Sequence, residues 1–291
     1  METIDVSDSQ IKTYLKCARA WGYKKILKLD PAEDRDNLIM GDAWHAGAEH
    51  YVLNRSLEQA QLLVLNKIQT GKPEDLQWQL QVVPAMLAGW ARHWLPAFEQ
   101  DYEIIKPEEE FSYFPHPKVK YRGKKDLKAR KRSTGGIFIG DYKTSAKTTI
   151  NLMTQELHIN RQLAIYAVDE SRKAGAWPQE VALIFASKPS KKGKSLLENA
   201  QEAMMTPSNY ITKIVQVTPQ FAQFAIDVEA SDVLIAHQMG EYRELYKKIG
   251  LRAFEFIPPN VTNCYSYGKE CGFAKGCHSG NPCHRTLKLP N

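Results

Sequence analysis

Asp141 and Lys143 stand two residues apart in GDYKTS (Gly140 to Ser145), directly after the run GGIFI. Alternate residues of an extended strand face one side. An acid and a base so spaced form either a surface ion pair or the two halves of a hydrolytic site. Asp126, in GKKDL, lies on what reads as the preceding strand. A hairpin linking the two strands would bring both carboxylates together. Hydrolysing a phosphodiester at neutral pH calls for a divalent cation that activates water and neutralises charge on the phosphate. Two carboxylates suit magnesium, which takes oxygen ligands. His45, in GDAWH, offers a nitrogen donor and moves the preference toward manganese. Lys143 would orient the attacking water or stabilise the pentavalent phosphate. Each residue also has a plainer role: turn-forming or solvated aspartates, a solvated lysine, a packed helical histidine. Spacing alone reaches an acidic metal site and no further.

The elements that must position these residues can be read from periodicity. SQIKTYLKCARAWGYKKILKL carries apolar residues at helical spacing, with Ser9 as the N-cap. Helices are expected from Asn37 to Leu53, from Leu57 to Gln69 and from Leu76 to Gln100, the last kinked or split by Pro84 and Pro96. EEEFSYF, KVKYRGKKDLKAR and GGIFIGDYKTS read as three successive strands, with turns at His116-Pro117 and at Ser133 to Gly136. A helix from Asn151 to Ala174 follows, then the strand EVALIFAS and, after a loop, the strand NYITKIVQV, then a long helix from Gln220 to Lys248. This order predicts an α/β fold, a mixed sheet with helices packed around it. There is no internal repeat and no low-complexity segment.

The 291 residues suffice for one large domain or two small ones, with an ample core, and no apolar run is long enough to span a bilayer. The polar, acidic start METIDVSDSQ does not read as a secretory signal, so a cytoplasmic location in a bacterial or phage-infected cell is expected. The formal charge of +6 leans toward anionic partners. It concentrates in KARKR (Lys128 to Arg132) and SKPSKKGKS (Ser187 to Ser195), both read as turns beside strands. Beside a hydrolytic site they are candidate phosphate contacts.

Of five cysteines, Cys17 lies near the start, and Cys264, Cys271, Cys277 and Cys283 crowd the last tenth. An odd, clustered set in a cytosolic chain argues for a metal centre over a disulfide framework. From Pro258 the tail is too poor in apolar residues to fold without a staple.

The ordered set of motifs resembles the PD-(D/E)xK nuclease superfamily, in its RecB-like exonuclease branch. The pieces are S-x-I-x-x-Y-x-x-C-x-x-x-W-x-Y (Ser9 to Tyr23), G-D-A-W-H ending at His45, G-K-K-D-L with Asp126, G-D-Y-K-T with Asp141 and Lys143, Q-L-A-I-Y with Gln162 and Tyr166, and the terminal cysteines. The resemblance runs over nearly the whole chain. It implies a restriction-endonuclease-like core and a metal bound by His45, Asp126, Asp141 and the backbone carbonyl of Tyr142, with Lys143 as the catalytic lysine. Gln162 and Tyr166, one helical turn apart, would line the active site and the DNA path. A glutamate on the strand before Asp126 often recurs in the family. Glu109 and Glu110 compete for it, with Glu110 favoured.

The related iron-sulfur nucleases hold a 4Fe-4S cluster with one N-terminal and three C-terminal cysteines. The set Cys17, Cys264, Cys271 and Cys277 fits that plan, though six residues separate Cys264 from Cys271 where the family shows two. The alternatives stay open: Cys283 replacing one of these, a zinc site of the four C-terminal cysteines with or without His278 or His284, or unliganded thiols.

The expected organisation is one nuclease domain over 1–291: a helical region (1–103), a sheet core (104–257) and a cysteine-rich tail (258–291). The expected activity is a magnesium- or manganese-dependent DNA exonuclease acting at single-stranded ends, in recombination, repair, replication or phage DNA processing. Tyr14, Trp21, Trp44 and Tyr166 are aromatic candidates for stacking on bases, with core packing preferred for Trp21. No G-x-x-x-x-G-K-[ST] motif is present, so unwinding would fall to a helicase partner. An integrase or a single-strand-binding protein is a further candidate partner. The rival readings are a CRISPR-associated nuclease trimming ends in an integration complex, a nuclease of a phage or mobile element, and a non-catalytic nucleic-acid-binding protein of the same fold.

Overall fold

In a computed structural model, which describes residues 3–29, 35–260, 265–266 and 269–270, the strand of GDYKTS is β4 (Ile137–Ser145). It lies between β3 (Val119–Lys131), to which it is antiparallel, and β5 (Glu180–Ser187), to which it is parallel. A parallel neighbour requires a crossover. Here α7 (Lys147–Gln155) and α8 (Arg161–Ala174) supply it. β6 (Tyr210–Gln216) then pairs antiparallel with β5, and β2 (Tyr102–His116) pairs with β3. The result is the mixed sheet flanked by helices that the element order implies. All eight residues of β5 are buried, as expected of a strand covered on both faces.

The chain divides into two compact units. The larger comprises residues 35–111 and 124–227. Its core lies on one face of β4, where Phe138 and Tyr142 meet an aromatic ladder: Trp90, Trp94, Phe98 and Tyr102 stack in succession at 5.4, 4.6 and 4.5 Å between centroids. Trp90, Trp94 and Phe98, four residues apart, share one helical face, and Tyr102 extends the stack from the start of β2. The ladder starts in a π turn (Trp90–Trp94) that continues α5 (Leu76–Gly89), runs through α6 (Leu95–Asp101) and ends on the first residue of β2. The helical segments form one run. Pro84 sits inside α5 without splitting it, and the irregularity falls on the turn before Pro96. Proline cannot donate to the carbonyl four residues back, and its ring crowds that carbonyl. A wider turn relieves both problems. α3 (Arg35–Asn54) contributes Met40, Ala43 and Trp44 to the same core and packs beside α4 (Leu57–Gly71).

The smaller unit holds residues 1–34, 112–123 and 228–291. The short strand β1 (Ile4–Val6) pairs parallel with Val119–Tyr121 of β3. The expected single helix from Ser9 is two helices, α1 (Asp8–Lys16) and α2 (Ala18–Lys25). Cys17 separates them in an extended conformation (φ −165°) and caps α2, its Sγ accepting the Ala20 N–H. Ser7, not Ser9, is the N-cap of α1. Tyr23 stacks on Phe254, which follows the long helix α10 (Pro219–Ile249) in a 3-10 turn, and Gly22 leaves room for that ring.

Three further expectations are corrected. The helix from Asn151 to Ala174 is α7 and α8, because Asn160 breaks the run and caps α8 by accepting the Leu163 N–H. The loop before β6 contains a helix, α9 (Leu196–Met205), started by a Ser195–Glu198 capping box. KARKR is not a turn but the end of β3, where Lys128 and Lys131 pair with Glu170 and Glu180. No helix among the described residues is long and apolar enough to cross a membrane. Cys264, Cys271, Cys277, Cys283, His278 and His284 lie outside the described residues.

Gly140 sits between the aromatic core and β5. A Cβ there would lie 2.6 Å from Ile184 Cδ1 and 3.0 Å from Phe138 Cε1. Gly140→Ala is expected to lower stability by about 1–3 kcal/mol, the cost of overpacking a filled core, as measured by urea unfolding.

Candidate active site

The antiparallel ladder between β3 and β4 runs from Arg130↔Ile137 to Leu127↔Gly140. Carried one pair further, this register sets Asp126 opposite Asp141. At that point Asp126 Oδ2 accepts the backbone N–H of Tyr142 at 2.8 Å. Both carboxylates are almost fully enclosed, Asp126 at 6% and Asp141 at 1% exposure. α3 delivers His45, whose Nδ1 lies 3.5 Å from Asp126 Oδ2 and whose ring meets Trp44 and Tyr142 edge-on.

The third carboxylate of this group is Glu108. Its oxygen, an oxygen of Asp126 and a ring nitrogen of His45 all lie within 4.8 Å of one another. Hard cations bind oxygen at roughly 2.0–2.6 Å, so donors this close can share one ion. A nitrogen with two carboxylates is a donor set for manganese or magnesium. The residues therefore fit a divalent metal.

Glu108 corrects the expectation of Glu110. Glu110 is exposed, and Glu109 turns toward Lys125 and Lys173. The reason is local: Glu108 has φ +50°, left-handed backbone in mid-strand. Such a conformation costs a non-glycine residue energy and accumulates at functional sites. It also breaks the alternation by which strand faces are assigned. The one sequence signal was Pro107, because proline within a strand marks an edge or a bulge.

Asp141 is held from its other side. Its Oδ1 accepts Gln162 Nε2 at 2.8 Å and the Tyr166 hydroxyl at 3.2 Å, while its Oδ2 pairs with Lys143. Lys143 Nζ also donates to Gln162 Oε1 at 3.1 Å. Gln162 and Tyr166 lie one turn apart on α8 and are linked at 2.8 Å. The Tyr166 hydroxyl is also 2.6 Å from the Lys124 carbonyl on β3. His45, Asp126, Asp141, Lys143, Gln162 and Tyr166 thus converge, and Asp141 is the carboxylate tied to the lysine and the helix. Tyr142 buries its ring among Trp44, Trp90 and Trp94. Trp21, Trp44 and Tyr166 are buried and Tyr14 is half-buried against Trp21, so the rings of the first three are enclosed and offer no platform for stacking bases.

The electrostatics follow from burial and proximity. Burial alone would raise Asp126, but His45, Lys143 and the Tyr142 N–H hold its carboxyl below the usual range. His45 is raised above an ordinary imidazole, because the Asp126 carboxylate outweighs the burial that opposes its charge. Asp141 is pushed up by burial and by Asp126, against the pull of Lys143.

Behind the site lies a buried ionic cluster. Lys125, with no exposed surface, meets Asp169 at 2.6 Å, Glu170 at 2.9 Å and Glu109 at 3.5 Å. Lys128 pairs with Glu170, and Lys173 with Asp169 and Glu109. Three acids and three bases bind β2, β3 and α8 together, with Glu109 next to Glu108 and Lys125 next to Asp126.

The model of the PD-(D/E)XK nuclease superfamily matches residues 5–278. The chain belongs to that superfamily. Among solved structures, one from Eubacterium rectale named "Putative exonuclease" is similar at 14% identity, with 100% of this chain and 91% of that chain covered and a TM-score of 0.48. No curated protein matches the chain. Asp141-Tyr142-Lys143 has the D-x-K spacing in the superfamily's name, and the divalent metal its nucleases use suits the donors described above.

Lys125→Met removes one charge from a closed cluster and leaves its carboxylates under-compensated. The expected loss of stability is about 3–5 kcal/mol, as for other broken buried pairs, read from urea unfolding at pH 7.

Proposed function

We propose that this protein is a magnesium- or manganese-dependent deoxyribonuclease, an exonuclease acting at single-stranded DNA ends, with residues 1–291 working as one nuclease domain. The observation that carries the reading is the convergence of His45, Glu108 and Asp126 beside the Asp141–Lys143 pair. His45, Glu108, Asp126 and Asp141 would hold the metal, with the Tyr142 carbonyl as the further ligand that the family resemblance implies. When bound, the cation lowers the pKa of a water and neutralises charge on the phosphate.

The chain's own groups divide the remaining work. Lys143 carries a positive charge into the site and stabilises negative charge on the phosphate. Gln162 and Tyr166 fix the Asp141 carboxylate, so that it needs no reorientation during the reaction. Asp126 pins the strand that bears Lys143 through the Tyr142 N–H. The second basic run supports a substrate path: it leaves β5 at Ser187, opposite Ser145 at the end of β4. Lys147, Lys188 and Lys191 line a cavity of about 430 Å³ there. Lysines beside the exit of a catalytic strand are suited to phosphates of the strand being cut.

A second metal site is proposed for Cys17 with Cys264, Cys271 and Cys277, holding a 4Fe-4S cluster. Two features of Cys17 support it. The thiol is buried where the backbone breaks between α1 and α2, and its Sγ is 3.4 Å from the Asn260 N–H, close to the start of the segment that carries the other cysteines. Such a cluster stabilises the tail it binds.

Asp141→Ala and Lys143→Ala are each expected to reduce metal-dependent cleavage of end-labelled single-stranded DNA at least 100-fold while DNA binding survives. Full activity in either variant would remove the site assignment. Cys17→Ala is expected to lower iron content and solubility together in anaerobically purified protein. A normal iron content would move that ligand role to Cys283.

A further inference from the structure

The smaller unit contains a concentration of positive charge that the proposed chemistry does not use. A cavity of about 300 Å³ opens among β1, α2 and α10. Lys25, Arg243 and Lys247 line it, and its apolar wall includes Ile4, Ile26 and Tyr246. Lys24, Lys28 and Arg122 add their fields at Lys25. Burial and these four neighbouring cations, Arg243 among them, hold the Lys25 ammonium below the ordinary lysine value. No acid pairs with Lys25 among the described residues. Of the acids, Glu244 also lines the cavity and accepts a bond from Lys247 at 2.9 Å, and Asp5 lies in the field of Arg243. Arg243 is half-buried, with its guanidinium over the Trp21 ring at 5.6 Å.

Packing like charges together costs energy that folding does not recover. An anion that enters the cavity would recover it. The volume is at the low end of ligand pockets and admits one small unit, not a folded partner. Cations beside an apolar wall with an aromatic ring suit a phosphate joined to a base.

We propose that this cavity binds one nucleotide unit of a nucleic-acid strand, its phosphate on Lys25, Arg243 and Lys247 and its base against Ile26 and Tyr246. The choice of nucleic acid among phosphate-bearing ligands rests on the nuclease reading. The site shares no residue with the proposed metal centre, so it contributes to strand binding and not to the chemical step.

The test uses the full chain carrying Asp141→Asn, without divalent metal, and a fluorescent single-stranded 12-mer whose binding is followed by anisotropy. Adding Lys25→Glu is expected to weaken binding about tenfold and to reduce the slope of log affinity against log salt by about 0.7 for each phosphate that is no longer neutralised. Lys25→Gln should show a smaller effect in the same direction, which separates loss of charge from misfolding. Unlabelled deoxyadenosine monophosphate should compete better than inorganic phosphate. Unchanged affinity and salt slope in both variants would overturn the proposal. Equal competition by phosphate would overturn the nucleotide assignment and leave a simple anion site. The two readings fail separately: a wild-type protein that cuts no DNA, yet loses oligonucleotide binding on Lys25→Glu, would sink the catalytic reading and keep the cavity.

Discussion

The hydrogen bond from the Tyr142 N–H to Asp126 holds the candidate site together. It falls where the ladder between β3 and β4 ends, so a side chain takes over the work of pairing the strands. A buried backbone N–H left unpaired would be costly. Asp126 removes that cost and is itself stabilised as an anion by the same bond. The bond also fixes where Asp141 and Lys143 emerge, one residue to either side of Tyr142. His45 and Glu108 are arranged around the carboxylate so fixed.

Such a site gathers charge that a protein interior resists. Glu108, Asp126 and Asp141 are enclosed together, and the neighbours that answer them are Lys124, Lys143 and His45. Asp141 is the least comfortable, its carboxyl raised by burial and by Asp126. A divalent cation among these donors would relieve that repulsion. Such an arrangement would trade stability of the bare chain for affinity toward a metal.

Two packed clusters hold the geometry of the candidate site in place. On one face of β4, the stacked ladder from Trp90 to Tyr102 packs against Phe138 and Tyr142, and Gly140 lets the layers close. Beside the site, the six charges around Lys125 fasten β2 and β3 to α8. Catalytic groups need support of this kind from residues that do no chemistry. The strained backbone at Glu108 is flanked by it, since Glu109 is itself a member of the cluster.

Residue type and short spacing alone determined much of this protein. Alternation placed Asp141 and Lys143 on one side of β4, and the Gln162–Tyr166 spacing placed both on one helical face. The bounds of β5 and the mixed sheet were also legible, because strand and helix periods are local properties. Other features depended on the fold. Cys17 sits inside a helical pattern but breaks it, because its thiol caps the next helix. KARKR reads as a polar turn, yet the acids that neutralise Lys128 and Lys131 are more than 40 residues away in sequence. Lys125 reads as one more surface lysine in a basic strand and is fully enclosed. Glu108 was hidden among three consecutive glutamates, since a single left-handed residue reverses the face rule that would have sorted them. Local periodicity decides which way a side chain points. Only tertiary packing decides what it meets there and whether the backbone obeys the period.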